Sequence, residues 1–339
     1  MEKAATDIYS FRPMMMRLLI AVLGIVALLP AVADQDESPA HGGRMRLLYW
    51  NIQNGMWDGQ RDDYARFVAF VKAYDPDVCV WCEAQSIFAT GSDKERLAEK
   101  DRFLPDGWKN LAARYGHANV FLGGHRDNYP QVITSRLPLE GVRRLYGPDG
   151  RRIRHGAGWA VVKVGDRAVN VVTVHTWPQQ HAPGLPDKAA ERKSRKEHGG
   201  DHYRRYEVEQ ICRETIFTQT NAADACWIML GDFNSLTRAD NHAYKLPDDD
   251  TKFLPHDFLR AKTPYRDILA IRHPGVLMPS CLEPRRIDFV YLTPELARFA
   301  VAADVIRDDY ACSVRDAARL GANLRHPSDH LPVIVDFNL

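Results

Sequence analysis

The stretch WIMLGDFNS, Trp227 to Ser235, reads as a strand that ends in polar chemistry. An apolar run stops at Gly231, and Asp232 and Asn234 then follow two residues apart. In an extended chain, residues i and i+2 face the same way. Asp232 and Asn234 therefore project together from the end of a segment that wants to be buried. A carboxylate beside an amide is a good device for orienting water. The same pair also suits a plain strand-end turn, since both residue types favour turns.

Working outward, the arrangement recurs. RLLYWN (46–51) is a short apolar strand ending in Asn51. VCVWCE (78–83) is apolar on both faces, the mark of a central strand, and ends in Glu83. An unpaired carboxylate there would be costly. AVNVVTVH (168–175) ends in His175, on the same face as Val169, Val171 and Thr173. Asp288 sits at the start of RIDFVYL (286–292), and Asp329-His330 leads into PVIVDF (332–337). Independent turn accidents would rarely place so many polar groups at six strand ends. Hard oxygen ligands with few thiolates favour Mg²⁺, Mn²⁺ or Ca²⁺ over zinc.

The rest of the chain fills in a sandwich. Phe67, Phe70, Val71 and Tyr74 follow helical spacing until Asp75-Pro76 stops them. VITSRLPL (132–139) and GWAVVKVG (158–165) read as strands, the latter joined to 168–175 by a hairpin. Residues 179–203 form a polar insertion, in which 188–198 suits an exposed helix, and helical spacing resumes near Tyr206, Val208 and Ile211. Strands dominate and helices are spread between them. The pattern predicts an α/β sheet sandwich with helices packed outside, in one domain over residues 45–339.

At 339 residues the chain buries a core without disulfide staples. Residues 14–35 place Arg17 before an apolar run at 18–29 and Ala31-Val32-Ala33 after it. That is a signal peptide's layout, and the run is short for a bilayer span. The expectation is a signal peptide over 1–33, a linker over 34–44, and export to the periplasm or beyond. An uncleaved anchor at 18–29 is the alternative. Without residues 1–33, 42 basic residues face 42 acidic ones, so attraction to a polyanion must be local. Cys79 and Cys82 lie three apart on a strand, pointing to opposite faces, and are poorly placed to bridge. The six cysteines are expected to be mostly buried thiols, with one distant pair left open.

The ordered motifs YWNIQNG, WCEAQ, TVHTW, LGDFNS, RRIDFVYL and SDHLPV resemble the endonuclease/exonuclease/phosphatase superfamily. That group includes pancreatic-type DNases, abasic-site endonucleases, neutral sphingomyelinases and inositol-phosphate 5-phosphatases. The resemblance spans roughly residues 45–339. It implies a four-layered α/β sandwich: two packed, mostly antiparallel sheets flanked by helices, with the site at one end. It implies that Glu83 is the principal ligand of a divalent metal, with Asn51 and Asp329 nearby. Asp232 would position or deprotonate the attacking water, oriented by Asn234. His330 would donate to the phosphoryl group, its other ring nitrogen held by Asp288. His175 would contact the phosphate or act as general acid. It matches the DNase and sphingomyelinase branches and counts against the abasic-site branch. No acidic partner for it is apparent in the sequence.

Two features bear on the substrate, a phosphate ester whose candidate classes include nucleic acid and a phospholipid head group. RRLYGPDGRRIRH (143–155) carries five arginines against Asp149, suiting either a polyanion or a solvated loop. Arg154-His155 leads into a strand, and Trp177 and Trp57 lie near strand ends. Arg154 and Trp177 are weak substrate-binding candidates, with rim packing as their plainer reading. No obligate protein partner is evident. Three functions fit: a secreted metal-dependent phosphodiesterase or phosphomonoesterase, a DNase-like secreted nuclease, and an inactive binding module of the same fold.

Overall fold

The computed structural model describes residues 43–53, 62–85, 105–124, 129–281, 283–312 and 327–339. All lie in the compact unit His41–Leu339. The expected signal peptide, nearly all of the expected linker and Trp57 fall outside the described residues. Arg44, placed in the linker by sequence, is the first residue of a strand. Among the described residues, no helix is long and apolar enough to cross a membrane.

The described strands form two six-stranded sheets. The first has the order β11 (Ala300–Val305), β12 (Val333–Asn338), β1 (Arg44–Asn51), β2 (Val78–Cys82), β4 (Val132–Ser135), β3 (Asn119–Leu122). The second runs β5 (Leu139–Leu145), β6 (Ala157–Val164), β7 (Arg167–His175), β8 (Cys226–Asp232), β10 (Asp288–Leu292), β9 (Arg266–Asp267). Each sheet contains one parallel pair, β1 with β2 and β7 with β8, and every other pairing is antiparallel.

A parallel pair needs a crossover, usually helical. Helix α1 (Ala65–Tyr74) lies between β1 and β2 in sequence, and α3 (Lys188–Lys196) and α4 (Gly199–Glu214) lie between β7 and β8. Parallel neighbours also end at the same edge. Asn51 pairs with Cys82, and His175 pairs with Asp232. Topology alone therefore brings those polar strand ends together in twos.

Alternation along the strands makes the layers. On β7, Val169 and Val171 enter one core cluster while Val172 and Val174 enter another. On β8, Ile228 and Leu230 join the first, and Trp227 and Met229 the second. The second cluster is roofed by Val208 and Ile211 of α4 and by Phe258 and Leu259 of α5 (Leu254–Lys262). On the other flank, Phe67 and Phe70 of α1 meet Trp81 and Trp50, with ring centroids 5.0 and 5.3 Å apart. Trp108 of α2 (Pro105–Ala113) stacks on Trp81 at 6.0 Å. Each such buried aliphatic or aromatic side chain contributes about 1.5–3 kcal/mol. The result is an α/β sandwich of four layers in which central strands such as β2 and β8 are buried on both faces and largely apolar.

Three expectations need correction. VITSRLPL is not one strand: β4 ends at Ser135, and β5 begins at Leu139 in the other sheet. Pro138 has no N–H for a ladder, and Ser135 Oγ instead accepts from the Leu137 N–H at 2.9 Å. In RIDFVYL the strand starts at Asp288, because Ser280 Oγ takes the Ile287 N–H at 3.1 Å. The exposed helix expected over 188–198 is present as α3, but α4 starts at Gly199, inside the insertion, rather than near Tyr206. All six cysteines are free, and all but Cys312 are buried.

Candidate active site

The two sheets touch through polar groups at the edge where the parallel pairs end. Asn51 Nδ2, from the first sheet, donates to Asp232 Oδ2 of the second at 3.1 Å and also lies 3.3 Å from Glu83 Oε1. Tyr49 Oη, again from the first sheet, donates to Asp288 Oδ1 at 2.6 Å. Asp288 Oδ2 accepts from Ser280 Oγ at 2.7 Å and from His330 Nδ1 at 2.8 Å. The other His330 nitrogen, Nε2, lies 3.8 Å from Asp232 Oδ2 and 3.9 Å from Asp329 Oδ1. His175 Nε2 lies 3.8 Å from Glu83 Oε1 and 3.9 Å from Asp232 Oδ2.

Backbone geometry aims these groups. Glu83 follows β2 with φ +51°, and Asn234 follows β8 with φ +46°, both in the left-handed region. The Asn234 N–H donates to Asp232 Oδ1 at 2.8 Å, and its side-chain amide donates to the Thr176 carbonyl at 3.0 Å. Asn234 thus fixes Asp232 and ties the turn after β8 to the residue following His175. The Ser328 hydroxyl donates to the Asn51 carbonyl at 2.6 Å, which holds the 327–331 segment, and with it His330, against β1.

The electrostatics separate the groups. Burial, and after it the neighbouring Asp288, pushes Asp232 up to about 7. Burial and then the Asp329 charge raise Glu83 above the usual carboxylate range. Burial works against a charged His330, but Asp288, Asp329 and Asp232 outweigh it and hold the ring well above its ordinary value. Burial, then His155 and His330, push His175 well below its own. The two imidazoles are therefore biased in opposite directions, His330 toward its cationic form and His175 toward its neutral one.

Two groups of side chains have the composition of a cation site. Asp232, Asp288 and His330 offer ligand atoms within 4.8 Å of one another. Both Asp288 oxygens are already engaged by Tyr49, Ser280 and His330, so that trio is an orienting device. The other group borders an open cleft of about 330 Å³ lined by Glu83 and Asp329 together with Gln53, Tyr129, His155 and His175. No Lys or Arg lines it among the described residues. Half-buried Glu83, repelled by Asp329 and with Asn51 at its side, is a hard-oxygen donor set short of positive charge, which suits a divalent cation.

Arg154 and Trp177 meet beside this cleft. The Arg154 guanidinium lies 5.6 Å from the Trp177 ring. Trp177 stacks on His155 at 6.2 Å, and His155 on His175 at 4.4 Å. The arginine-rich run divides: Arg143 covers Trp159 and Arg144 binds the Leu122 carbonyl, while Arg151, Arg152 and Arg154 line a separate cleft.

Sequence reasoning passed over Glu207. It is fully buried on α4 and accepts from the backbone N–H of Arg154 and of Trp177, each at 2.7 Å. Its carboxyl is pushed up to about 7 by burial. A signal was present: Tyr203, Glu207 and Ile211 recur at helical spacing on one buried stripe. Tyr49 and Ser280, which hold Asp288, gave no such signal.

A family model described as the endonuclease/exonuclease/phosphatase family matches residues 48–330. Among solved structures, the fold is similar to an AP endonuclease from Archaeoglobus fulgidus, with TM-score 0.59, 17% identity, and coverage of 87% of this chain and 100% of that one. It is also similar to the 3′ phosphatase NExo from Neisseria bound to product DNA hairpin, with TM-score 0.56, 18% identity and coverage of 87% and 100%. An endonuclease/exonuclease/phosphatase from Beutenbergia cavernae gives TM-score 0.54, 20% identity and coverage of 87% and 72%. No curated protein matches the sequence. At these identities the structural likeness is one of fold.

Proposed function

This chain belongs to the endonuclease/exonuclease/phosphatase family, and on that premise we propose that it is a divalent-metal-dependent hydrolase of phosphate esters that uses an activated water. The observation carrying this reading is the convergence on Asp232 Oδ2: Asn51 Nδ2 at 3.1 Å, His330 Nε2 at 3.8 Å and His175 Nε2 at 3.9 Å. Glu83, Asp329 and Asn51 would hold the cation, with Mg²⁺ first and Mn²⁺ or Ca²⁺ as the other candidates. Bound there, it would polarise a phosphoryl oxygen and neutralise charge developing in the transition state.

The chain's own groups supply the rest. Asp232 takes the proton from the attacking water, and a pKa of about 7 suits a base working near neutrality. Asn234 fixes its carboxylate through the backbone N–H. Cationic His330 donates from Nε2 to a phosphoryl oxygen, with Nδ1 held by Asp288. Neutral His175 contacts the phosphate from the β7 side. Its lowered pKa favours a hydrogen-bonding role over that of a standing proton donor. The three hydrogen bonds that organise Asp288 argue against an inactive binding module, which has no need to orient a charged imidazole.

Residues 1–33 serve as the export signal in this reading, so the protein works outside the inner membrane. N-terminal sequencing of the released protein tests that part and is expected to begin near residue 34. Hydrolysis of bis(p-nitrophenyl) phosphate tests the chemistry. It is expected to require added Mg²⁺ or Mn²⁺, to stop with chelator, and to fall by about 10²–10⁴ in Asp232→Asn. Full turnover in chelator, or in that variant, would remove the reading.

A further inference from the structure

A second cleft, of about 480 Å³, is lined by Asn234. Pro178 lines both this cleft and the one bordered by Glu83. Its walls come from the 179–203 insertion, the turn after β8, Lys252 and the segment before β10. The charge is one-sided: Arg195, Arg204, Lys252 and Arg285 line it, against the single acid Asp201. That acid is spent locally, since Arg204 Nη2 binds Asp201 Oδ1 and Thr251 Oγ1 donates to Oδ2 at 2.6 Å.

Arg204 is the unusual member. It is buried to 4% exposure, and its Nη1 donates to the carbonyls of Trp177 at 2.8 Å and Gln179 at 3.0 Å. Its Nε–H has no partner among the described residues. A buried charged donor left unmade is costly, and here it belongs to a residue that lines an open basic cleft. Arg195 and Arg285 are exposed. Among the described residues Arg285 is paired with Glu283 alone, and both side chains are more than half in water, where such a pair is worth little.

We propose that this cleft is a subsite for a second phosphoryl group, so that the enzyme selects phosphate esters carrying another phosphate beyond the one it cleaves. The inference rests on the phosphoesterase reading of the neighbouring centre. Phosphate fits the wall: arginine forks bind its oxygens bidentately, and Lys252, half exposed and held 3.3 Å from Asp250, adds a point charge that a phosphate can share. The neutral net charge of residues 34–339 makes a local cluster the place where an anion is recognised. A small bisphosphate and a phosphodiester chain present the same chemistry here, and the experiment separates them.

The experiment measures inhibition of bis(p-nitrophenyl) phosphate hydrolysis at fixed free Mg²⁺ by three probes. These are thymidine 5′-monophosphate, thymidine 3′,5′-bisphosphate and a short oligothymidylate. The two polyphosphorylated probes are expected to bind at least about tenfold more tightly than the monophosphate, the scale of one or two charge-assisted contacts. In the double variant Arg195→Ala/Arg285→Ala that ratio is expected to shrink to about threefold or less. The readout is a ratio, so a general loss of fold or of turnover divides out. A bisphosphate preference without an oligonucleotide preference assigns the subsite to small molecules, and the reverse assigns it to a polymer. No preference in the wild type, or an unchanged ratio in the variant, overturns the proposal. Calorimetric titration of the bisphosphate and the monophosphate needs no turnover. It reads the cleft even if the diester is never hydrolysed, an outcome that would sink the phosphoesterase reading alone.

Discussion

His175 and Asp232 stand opposite each other across the parallel pair β7–β8, with His175 Nε2 3.9 Å from Asp232 Oδ2. The last rung of a buried ladder sets this separation, so it is as rigid as the core beneath it. Neither residue depends on a long loop for its position. A one-residue slip of either strand would turn one of the two side chains to the opposite face.

Gly231 makes that register possible, which gives the first prediction. Its φ is +152°, and a Cβ at this position would sit 1.8 Å from the Val174 carbonyl oxygen of the neighbouring strand. Backbone cannot yield as a side-chain tip can. Gly231→Ala is expected to destabilise the fold by several kcal/mol, on the order of 3 or more, through backbone strain and lost packing. Thermal unfolding checks it. A melting temperature within about 2 °C of wild type would show that β7 can move aside.

Metal dependence gives the second prediction. Burial and the Asp329 charge both disfavour an ionised Glu83, and a divalent cation would reverse that balance. Removing metal with chelator is expected to abolish turnover, and adding Mg²⁺ or Mn²⁺ to restore it. Glu83→Gln is expected to weaken Mn²⁺ binding, measured by calorimetry, by about 10–100-fold or more, a scale seen when a metal's supporting groups are removed. Unchanged Mn²⁺ affinity would move the cation away from Glu83.

Much of this is legible in the sequence itself, and the reason is specific. Asn51, Glu83, His175 and Asp232 sit at the ends of doubly apolar strands, and such strands announce both their burial and their termini. His330 and Asp288 flank strand starts in the same way. Glu207, Tyr49 and Ser280 stayed hidden because their importance is a matter of partners. Tyr49 looks like one more core residue of β1 until its hydroxyl is seen to cross to Asp288. Sheet membership was also out of reach. Nothing in VITSRLPL says that Pro138 marks a change of sheet, because both halves are apolar enough for either. The insertion's basic residues were visible as a charge run. Which of them share a wall depended on how α3 and α4 pack.

Glu207 gives a pH-dependent prediction. Its folded pKa, pushed up to about 7, exceeds the ordinary glutamate value near 4.3. The folded state therefore holds this proton more tightly than the unfolded chain does. The stability it contributes is fully present below the unfolded value and is lost as pH rises to about 7. The loss amounts to roughly 3–4 kcal/mol, from the size of the shift. Glu207→Gln is expected to flatten this decline, shown by melting temperatures across pH 5–8. A glutamine presents only one acceptor oxygen to the two N–H donors, so the variant also loses a pH-independent amount of about 1–3 kcal/mol. A decline as steep as in the wild type would mean that Glu207 does not titrate there.

The last prediction concerns the Asp288–His330 pair. Asp288 accepts from Tyr49, Ser280 and His330 at 2.6–2.8 Å, so its charge is held at one place. Its attraction, with that of Asp329 and Asp232, keeps His330 protonated despite burial. Protonation of His330 thus persists through neutrality and is lost only as pH rises through the raised value. If cationic His330 donates to the phosphoryl group, activity must fall with it, which places an alkaline limb in the pH–rate profile. Asp288→Asn keeps the shape and removes the charge. His330 should then lose its proton at lower pH, moving the alkaline limb toward acid and reducing turnover at pH 7 by about 10²–10⁴. A second effect points the same way, because an amide in place of the carboxylate no longer fixes which ring nitrogen faces the substrate. The two contributions separate experimentally. The charge effect shifts the limb, whereas the orientation effect lowers the plateau at every pH. A limb that stays in place while the plateau drops would assign Asp288 to orientation alone. A profile unchanged in both respects would take His330 out of the chemistry.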